Sequence, residues 1–209
     1  MPDSVPVIDH DAALVVIDKP AGLLAVPGRG EHLQDCAAAR VQAVFPDAKV
    51  VHRLDQATSG LMILARGLVA QRVLSRAFEE RRVLKGYIAI VAGRVADDAG
   101  CIDLPLACDW PNRPRQQVDH VCGKAAVTRW RVLSRDAALG TTRLALEPLT
   151  GRSHQLRVHL LAIGHPIVGD ALYATPAFAA PRLMLHASAL TLAHPVDARL
   201  MNFSSAAPF

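Results

Sequence analysis

Short segments with the composition of β-strands recur along the whole chain and limit what it can fold into. They are either apolar throughout, as in buried strands, or alternate between apolar and charged residues, as in half-buried strands. We predict them at Leu14 to Ile17, Leu61 to Ala65, Tyr87 to Val91, Thr128 to Val132, Leu144 to Leu146 and Leu183 to Leu192. The chain is therefore expected to be rich in β-strands.

Helical periodicity is confined to a few stretches. A helix is predicted from Asp35 to Val44, ended by Pro46, and a second from Val69 to Phe78, where apolar residues recur at helical spacing. A third is predicted from Ser153 to Ile163, with Ser153 as its N-cap. Between Cys101 and Lys124 no period is clear, which indicates a long structured loop or insertion.

The composition describes a compact protein with a mild positive charge. Hydrophobic residues make up 51% of the chain and aromatic residues only 4%, so the core must consist mainly of Ala, Val, Leu and Ile. The scarcity of aromatic rings argues against RNA-binding modules of the RRM type, which stack bases on several of them. A net charge of +4, carried mostly by arginine, permits a polyanionic partner.

The sequence also predicts a cytoplasmic location. The first residues lack a signal-peptide pattern, and no apolar run approaches the length of a membrane span. The four cysteines, Cys36, Cys101, Cys108 and Cys122, show no C-x-x-C spacing, so we expect reduced thiols that mostly pack in the interior. The length of 209 residues fits a single domain, residues 1–209.

Several common chemistries are excluded by spacing. His154 and His159 are five residues apart and would not share one helix face, which argues against a zinc site. The segment Gly151 to Gln155 lacks the second glycine of a G-x-S-x-G nucleophile elbow, which argues against a hydrolase of that type. Phosphate-binding loops of the P-loop and dinucleotide-binding types are also missing from the sequence.

Two polar segments remain, and each has an ordinary structural interpretation. In His52 to Gly60, Asp55 precedes Thr, Ser and Gly, a context typical of a turn or capping aspartate. Gly151 to Leu160 reads as a capped helix with a charged outer face. Tyr87, taken alone, reads as a strand aromatic in the core.

Taken together, the motifs resemble the RluA family of pseudouridine synthases over roughly residues 10–205. His52 to Gly60 is similar to the catalytic HRLDxxTSG of that family, and Gly151 to Leu160 resembles its arginine helix. Five separated motifs in the right order are far more specific than any one of them. The other three motifs are Lys19 to Gly28, Lys85 with Tyr87, and Leu185 to Ala187, and the turn Gly164 to Tyr173 follows the arginine helix.

The resemblance implies an α+β pseudouridine synthase fold. Its central, mainly antiparallel mixed sheet is flanked by helices and loops, with a catalytic cleft across the sheet where Asp55 and Arg157 meet. The 13 residues before Leu14 leave no room for the S4-type domain of several relatives. Pseudouridylation oxidises nothing, so neither a cofactor nor a metal is expected, and the partner would be structured RNA bound by a monomer.

The resemblance also assigns roles to individual residues. Asp55 matches the essential aspartate, either as nucleophile or as a base that deprotonates ribose, and Arg157 matches the arginine that pairs with it. Tyr87 would lie against the uracil and is a candidate for the proton transfer at C5. Because a stacked uridine cannot reach a buried carboxylate, the base must flip out, and Arg53 matches the residue that fills the vacated position.

Further contacts to RNA are expected from basic side chains, which bind phosphates without reading sequence. We expect His52 to support its loop or contact RNA. The other candidates are Arg29, Arg113, Arg115, Arg152 and His154, with Arg72 and Arg76 on the second helix.

The segment Asp109 to Pro114 resembles a short-chain member of the family that modifies two RNAs. It implies uridine 746 of 23S rRNA and uridine 32 of a tRNA anticodon loop as targets. Two alternatives are the same reaction on a different rRNA or tRNA uridine, and a non-catalytic RNA-binding factor of ribosome assembly.

Overall fold

The computed structural model describes residues 5–209 and divides the chain into two compact units. The first contains residues 5–84 and 187–208, and the second contains residues 85–186 together with Phe209. The chain passes from the first unit to the second after Leu84 and returns between His186 and Ala187.

Strands outnumber helices, as the sequence predicts. The strands are β1 (Val7–His10), β2 (Leu14–Lys19), β3 (Ala48–Val50), β4 (Ser59–Arg66), β5 (Leu84–Ala92), β6 (Ala99–Asp103), β7 (Leu106–Cys108), β8 (Gln116–Val118), β9 (Val127–Asp136), β10 (Thr141–Pro148), β11 (Leu185–Ala193) and β12 (Leu200–Ser204). The α-helices are α1 (Ala37–Gln42), α2 (Gly67–Glu79) and α3 (Gln155–Ala162), and short 3-10 turns lie at Glu31–Leu33, Trp110–Asn112 and Pro176–Phe178.

The first unit is a sheet with strand order β1-β2-β4-β11, in which β3 pairs with the end of β4 and β12 pairs with β11. The pairs β1–β2, β2–β4, β3–β4 and β11–β12 are antiparallel. Helix α2 buries Ala70, Leu74 and Ala77 against one face of the sheet. Strands β2 and β4 are buried almost throughout, which explains why both read as uninterrupted apolar runs.

The second unit contains the antiparallel order β5-β10-β9-β6 and a separate hairpin of β7 and β8. A small apolar cluster joins this hairpin to α3, with Leu106 and Ala126 packing beside Val158 and Tyr173. The helix is therefore anchored within its unit by both apolar and polar contacts, and the polar ones are described below.

The strand-rich, mainly antiparallel α+β architecture confirms the predicted fold class. All predicted strands and helices are present, although α1 is shorter than expected. The stretch from Cys101 to Lys124 is not a loop throughout, because it contains the end of β6 and the β7–β8 hairpin. None of the helices within residues 5–209 has the length and apolar character that crossing a membrane would require.

The expectation that the cysteines mostly pack in the interior is wrong. All four are free thiols, but Cys101 and Cys122 are exposed and Cys108 is half-buried. Only Cys36 is buried, and it caps α1, where its Sγ accepts a hydrogen bond from the backbone N–H of Ala39 at 3.3 Å. Helix capping by a thiol is uncommon compared with capping by Ser, Thr or Asp, so the sequence did not signal it.

Candidate active site

Asp55 lies in the loop of residues 51–58, between β3 and β4 of the first unit. Its side chain is half-buried, whereas Leu54 before it is buried and Arg53 is exposed. The backbone carbonyl of Asp55 accepts a hydrogen bond from the N–H of Thr58 at 3.1 Å. The loop thus anchors itself through Leu54 and presents Arg53 toward solvent.

A fully buried lysine fixes the residue that follows Asp55. The Nζ of Lys19 donates to the carbonyl oxygens of Pro20 at 2.9 Å, Leu23 at 2.7 Å and Gln56 at 3.1 Å. Gln56 is held further by two hydrogen bonds with Gly22, from Gly22 N–H to Gln56 O at 2.9 Å and from Gln56 Nε2 to Gly22 O at 3.0 Å. Hydrogen bonds to backbone carbonyls therefore join the motif Lys19 to Gly28 to the motif His52 to Gly60.

His52 supports the loop from the other side. Its ring stacks on Phe78 of α2 at a centroid distance of 4.3 Å, and its Nε2 accepts the backbone N–H of Ile63 at 3.0 Å. Because Nε2 is an acceptor, the proton of the neutral ring is on Nδ1. These contacts show how His52 ties the Asp55 loop to β4 and α2.

The end of the loop tolerates no side chain at Gly60. This residue has φ of 113°, and a Cβ there would lie 2.3 Å from the carbonyl oxygen of Ala187 in β11. Thr58 and Ser59 beside it are buried. The Thr-Ser-Gly part of the motif is thus a packing requirement of the first unit.

Arg157 lies in α3 of the second unit and is buried, with an exposed side-chain fraction of 5%. Its Nε and one Nη donate to the two carboxylate oxygens of Asp170, both at 2.7 Å. Asp170 also accepts the backbone N–H groups of Leu172 at 3.0 Å and Tyr173 at 3.2 Å. This bidentate pair fixes the plane of the guanidinium and keeps a positive charge in the interior.

Tyr173 completes the support of Arg157. The guanidinium carbon of Arg157 lies 5.0 Å from the Tyr173 ring centroid. The phenol oxygen accepts the N–H of Gln116 at 2.7 Å and forms a second hydrogen bond with Nδ1 of His154 at 2.8 Å. Burial raises the pKa of Tyr173, and the phenol therefore stays neutral. One side chain thus links α3 to β8.

The start of α3 differs from the prediction, which made Ser153 the N-cap. The N-cap is His154, in the left-handed conformation with φ of 53°. The preceding loop is held instead by Gln155, whose Oε1 accepts from Thr150 Oγ1 at 2.7 Å and from Arg152 N–H at 3.0 Å. The side chain of Gln155, the first residue of α3, therefore holds the loop that leads into the helix.

The interpretation of α3 as a helix with a charged outer face is wrong, because its residues 155–160 are all buried. Gln155 Nε2 donates to Thr128 Oγ1 at 3.0 Å, and that hydroxyl lies 2.9 Å from Nδ1 of His159. Nε2 of His159 in turn lies 3.0 Å from the carbonyl oxygen of Leu104. Burial lowers the pKa of His159, which favours the neutral ring in this chain of hydrogen bonds.

Tyr87 lies in β5, half-buried, opposite Leu146 of β10. Two residues before it, Lys85 donates from Nζ to the carbonyl oxygen of Thr150 at 3.1 Å. The strand bearing Tyr87 is therefore joined to the loop that precedes α3.

The basic candidates fall into two groups. Arg29 and Arg53 are exposed in loops of the first unit. In the second unit, Arg113 and Arg115 lie in the loop between β7 and β8, while Arg152 donates to the carbonyl oxygen of Ala125 at 3.1 Å. The candidates Arg115 and His154 both contact Tyr173, so the structure brings these two together beside Arg157.

The sequence interpretation missed Asp170 and Tyr173. Both lie in the segment Gly164 to Tyr173, in which the sequence predicts only a turn. The one available signal was an aspartate and a tyrosine directly after an apolar turn, in a motif that follows the arginine helix.

Comparison with known proteins identifies the family of the chain. The family described as RNA pseudouridylate synthase matches residues 13–162. The dual-specificity RNA pseudouridine synthase RluA of Yersinia pestis is 52% identical over 205 residues, which cover 97% of this chain and 99% of the relative. The proteins of the same name from Escherichia coli K12 and Haemophilus influenzae are 49% and 47% identical over 97% of this chain, and 93% of each relative is covered.

Solved structures agree with the sequence relatives. Human RNA pseudouridylate synthase domain containing 1 superimposes with a TM-score of 0.81 at 28% identity, covering 100% of this chain and 87% of the human one. Human RNA pseudouridylate synthase domain containing 4 gives a TM-score of 0.76 at 27% identity, with 97% and 88% of the two chains covered. The chain therefore belongs to the RNA pseudouridylate synthase family, as an RNA-modifying isomerase.

Proposed function

We propose that this isomerase has dual specificity and modifies uridine 746 of 23S rRNA and uridine 32 of a tRNA anticodon loop. The observation that carries the proposal is the 52% identity, over 97% of the chain, with a relative named as a dual-specificity RNA pseudouridine synthase. The segment Asp109 to Pro114, which resembles the same short-chain type, supports it.

In the proposed reaction the bond from uracil N1 to ribose C1′ breaks and a bond from C5 to C1′ forms. The proton on C5 is lost and N1 gains one, so the product is an isomer and no external electron carrier or cofactor is required. Asp55 supplies the carboxylate, as nucleophile or as a base toward ribose. Arg157 supplies the positive charge that favours the ionised carboxylate, and Tyr87 contacts the uracil and serves the proton transfer at C5.

The proposed role of Arg53 is to occupy the position that the flipped uridine vacates. Its exposure at the edge of an otherwise anchored loop supports this role. A planar guanidinium can stack on neighbouring bases while its charge remains near phosphate. We propose that His52 supports the loop or contacts RNA. The other basic candidates are proposed to contact RNA, and they are Arg29, Arg113, Arg115, Arg152 and His154.

We further propose that both units serve one catalytic domain. The family match of residues 13–162 includes parts of each unit, which supports a shared function. The enzyme is proposed to act as a monomer in the cytoplasm, where its RNA substrates are.

The reaction is tested by release of tritium from RNA that carries 5-tritiated uridine, since formation of the C5 bond displaces that hydrogen. We expect release by the wild type and none above background by Asp55→Asn, which keeps the shape of the side chain. Asp9→Asn, at an exposed aspartate of β1, is the control and should match the wild type. Activity of Asp55→Asn at the wild-type rate would contradict the role of Asp55, and an inactive wild type would contradict the proposed reaction.

The targets are tested separately. A tRNA anticodon stem–loop and a 23S rRNA fragment around uridine 746 are incubated with enzyme, treated with a carbodiimide that marks pseudouridine, and read by reverse transcription. The proposal expects one stop at each named position. Stops at other uridines would contradict the named targets, and a stop in only one of the two RNAs would contradict dual specificity. Neither result would affect the assignment of the reaction.

A further inference from the structure

An exposed tryptophan marks the tip of the β7–β8 hairpin. Trp110 is 68% exposed, although large aromatic rings are scarce in this chain, which has two tryptophans and two tyrosines. The guanidinium of Arg113 lies 4.9 Å from the centroid of its ring. Proteins bind unpaired nucleobases by stacking them on exposed aromatic rings, and a neighbouring arginine adds a cation–π contribution.

The loop that carries Trp110 is held rigidly by its own hydrogen bonds. Asp109 accepts from Asn112 Nδ2 at 3.1 and 3.0 Å with its two carboxylate oxygens, and its backbone N–H donates to the carbonyl of Arg115 at 3.0 Å. The N–H of Arg115 donates to the carbonyl of Asn112 at 3.0 Å. A ring presented by such a preorganised loop loses little conformational freedom when a ligand stacks on it.

The charge around the ring suits a polyanion. Arg113 and Arg115 lie over the rings of Trp110 and Tyr173, so their positive charge is directed to aromatic surface rather than to carboxylates. Asp109 keeps its negative charge, and its two oxygens accept from the Asn112 amide, so with Arg113 and Arg115 the loop of residues 109–115 carries a net charge of +1. The carboxylate of Asp119 accepts the N–H groups of Val121 at 2.8 Å and Cys122 at 2.9 Å.

The hairpin is also seated on the residues that hold Arg157. The N–H of Gln116, in β8, donates to the Tyr173 hydroxyl at 2.7 Å, and Arg115 covers the ring of the same tyrosine. Tyr173 contacts Arg157 through its ring and Asp170 through its backbone N–H. The position of Trp110 is therefore fixed relative to Arg157 within the second unit.

From these contacts we infer that the loop Asp109 to Arg115 is a nucleobase-binding platform. Trp110 stacks on one unpaired base of the RNA loop outside the reacting uridine, and Arg113 contacts an adjacent phosphate. The inference rests on the proposed function, because it takes the ligand to be the RNA loop that contains the target. It adds a contact that selects substrates by an accessible base other than the reacting uracil.

Equilibrium binding of a fluorescein-labelled tRNA anticodon stem–loop tests the platform without requiring turnover. Stacking of one base accounts for an expected weakening of about 5- to 150-fold in Kd for Trp110→Ala. Trp110→Phe, which keeps an aromatic face, should recover most of the loss. Leu139→Ala is the matched control, since Leu139 is 71% exposed in the β9–β10 turn of the same unit.

The contacted base is located with stem–loops that carry a single abasic nucleotide at each loop position in turn. One abasic position should weaken binding by the wild type but not weaken binding by Trp110→Ala any further. The inference would be overturned if every abasic position weakened binding by Trp110→Ala as much as binding by the wild type. A Kd of Trp110→Ala equal to that of the wild type would also overturn it, and would leave Trp110 available for a protein partner.

Fluorescence gives a readout that a merely structural role would not move. In Trp130→Phe the only remaining tryptophan is Trp110, and RNA should quench its emission, whereas Trp110→Phe should show little quenching. Tritium release is measured in parallel. Wild-type protein that binds and quenches without release would contradict the proposed function alone, while release that is unchanged in kcat/KM by Trp110→Ala would contradict the platform alone.

Discussion

Replacing Asp170 by asparagine isolates the buried ion pair that orients Arg157. Asparagine keeps the shape of the side chain and one acceptor oxygen, which can still receive the backbone N–H groups of Leu172 and Tyr173. Its amide nitrogen would face an N–H of Arg157 that also donates, so one hydrogen bond is lost and two donors oppose each other. The guanidinium keeps its charge in the interior while its bidentate ion pair with Asp170 is lost.

The magnitude follows from burial. The Asp170 side chain is 0% exposed and that of Arg157 is 5% exposed, and their atoms approach to 2.7 Å. Breaking such a buried pair from one side costs roughly 3 to 5 kcal/mol. For a chain of this length that corresponds to a fall of about 6 to 20 °C in Tm.

The chain offers a surface control with the same N···O distance, although that ion pair is a single contact and not a bidentate one. Arg135 and Asp98 also approach to 2.7 Å, but the Asp98 side chain is 90% exposed. An exposed pair of this kind contributes about 0 to 1 kcal/mol. The comparison of Asp170→Asn with Asp98→Asn therefore separates burial from distance.

Urea denaturation followed by circular dichroism gives the free energy of unfolding of both variants, and tritium release gives kcat and KM. We expect Asp170→Asn to lose at least about 2 kcal/mol more than Asp98→Asn and to lose kcat at a temperature where it is still folded. If the two variants were equally stable, the assignment of Asp170 as the electrostatic partner of Arg157 would be refuted.

Three further predictions concern other parts of the chain. Lys19→Met removes the donor from three carbonyls, so it should lower the free energy of unfolding by about 1 to 3 kcal/mol and reduce kcat. Lys49→Met is the control. Gly60→Ala should lower the free energy of unfolding by about 3 kcal/mol or more, because its Cβ would clash with a backbone carbonyl. Gly140→Ala, at φ of 59° with open space around it, should lower it by about 1 kcal/mol. Equal losses of stability would contradict the steric explanation. Burial lowers the pKa of His159 in the folded state, so the unfolded chain binds its proton at the higher pH and stability is lost as pH falls below about 6.5. His159→Gln should accordingly lose less stability than the wild type between about pH 7.5 and pH 5.5 in urea titrations.

The elements predicted from the sequence are those whose pattern is local. The sequence predicts β2 and β4 from their apolar runs and α2 from its helical spacing. No tertiary information is needed for these elements, because the residues that form each pattern are the ones that are buried. The loop with His52 and Asp55 was found for a related reason, since its motif is contiguous. Taken alone, this motif indicates only a turn aspartate at Asp55, and a catalytic role is indicated only by the separated motifs together.

The support of Arg157 could not be predicted in the same way. Asp170 in the sequence is an aspartate after glycine, which is typical of a turn. Its partner is 13 residues away, and the pairing exists only after the turn has folded back on α3. The left-handed conformation of His154 was equally hidden, because residues other than glycine adopt it rarely.

The polar residues of α3 were misread because polar side chains on a helix usually face solvent. Gln155 and His159 are buried because Thr128 and the carbonyl of Leu104 satisfy their hydrogen bonds, and both of these groups are distant in sequence. The β7–β8 hairpin was missed for a different reason: strands of three residues are too short to show a period.

The hydrogen bonds of Lys19 have a consequence for how the Asp55 loop is built. Three backbone carbonyls, from Pro20, Leu23 and Gln56, converge on one positive charge, much as carbonyl oxygens surround a calcium ion in other proteins. Here the cation is tethered to the chain through its own side chain. The three carbonyls are therefore brought together by a charge that belongs to the chain and takes its place at the moment of folding.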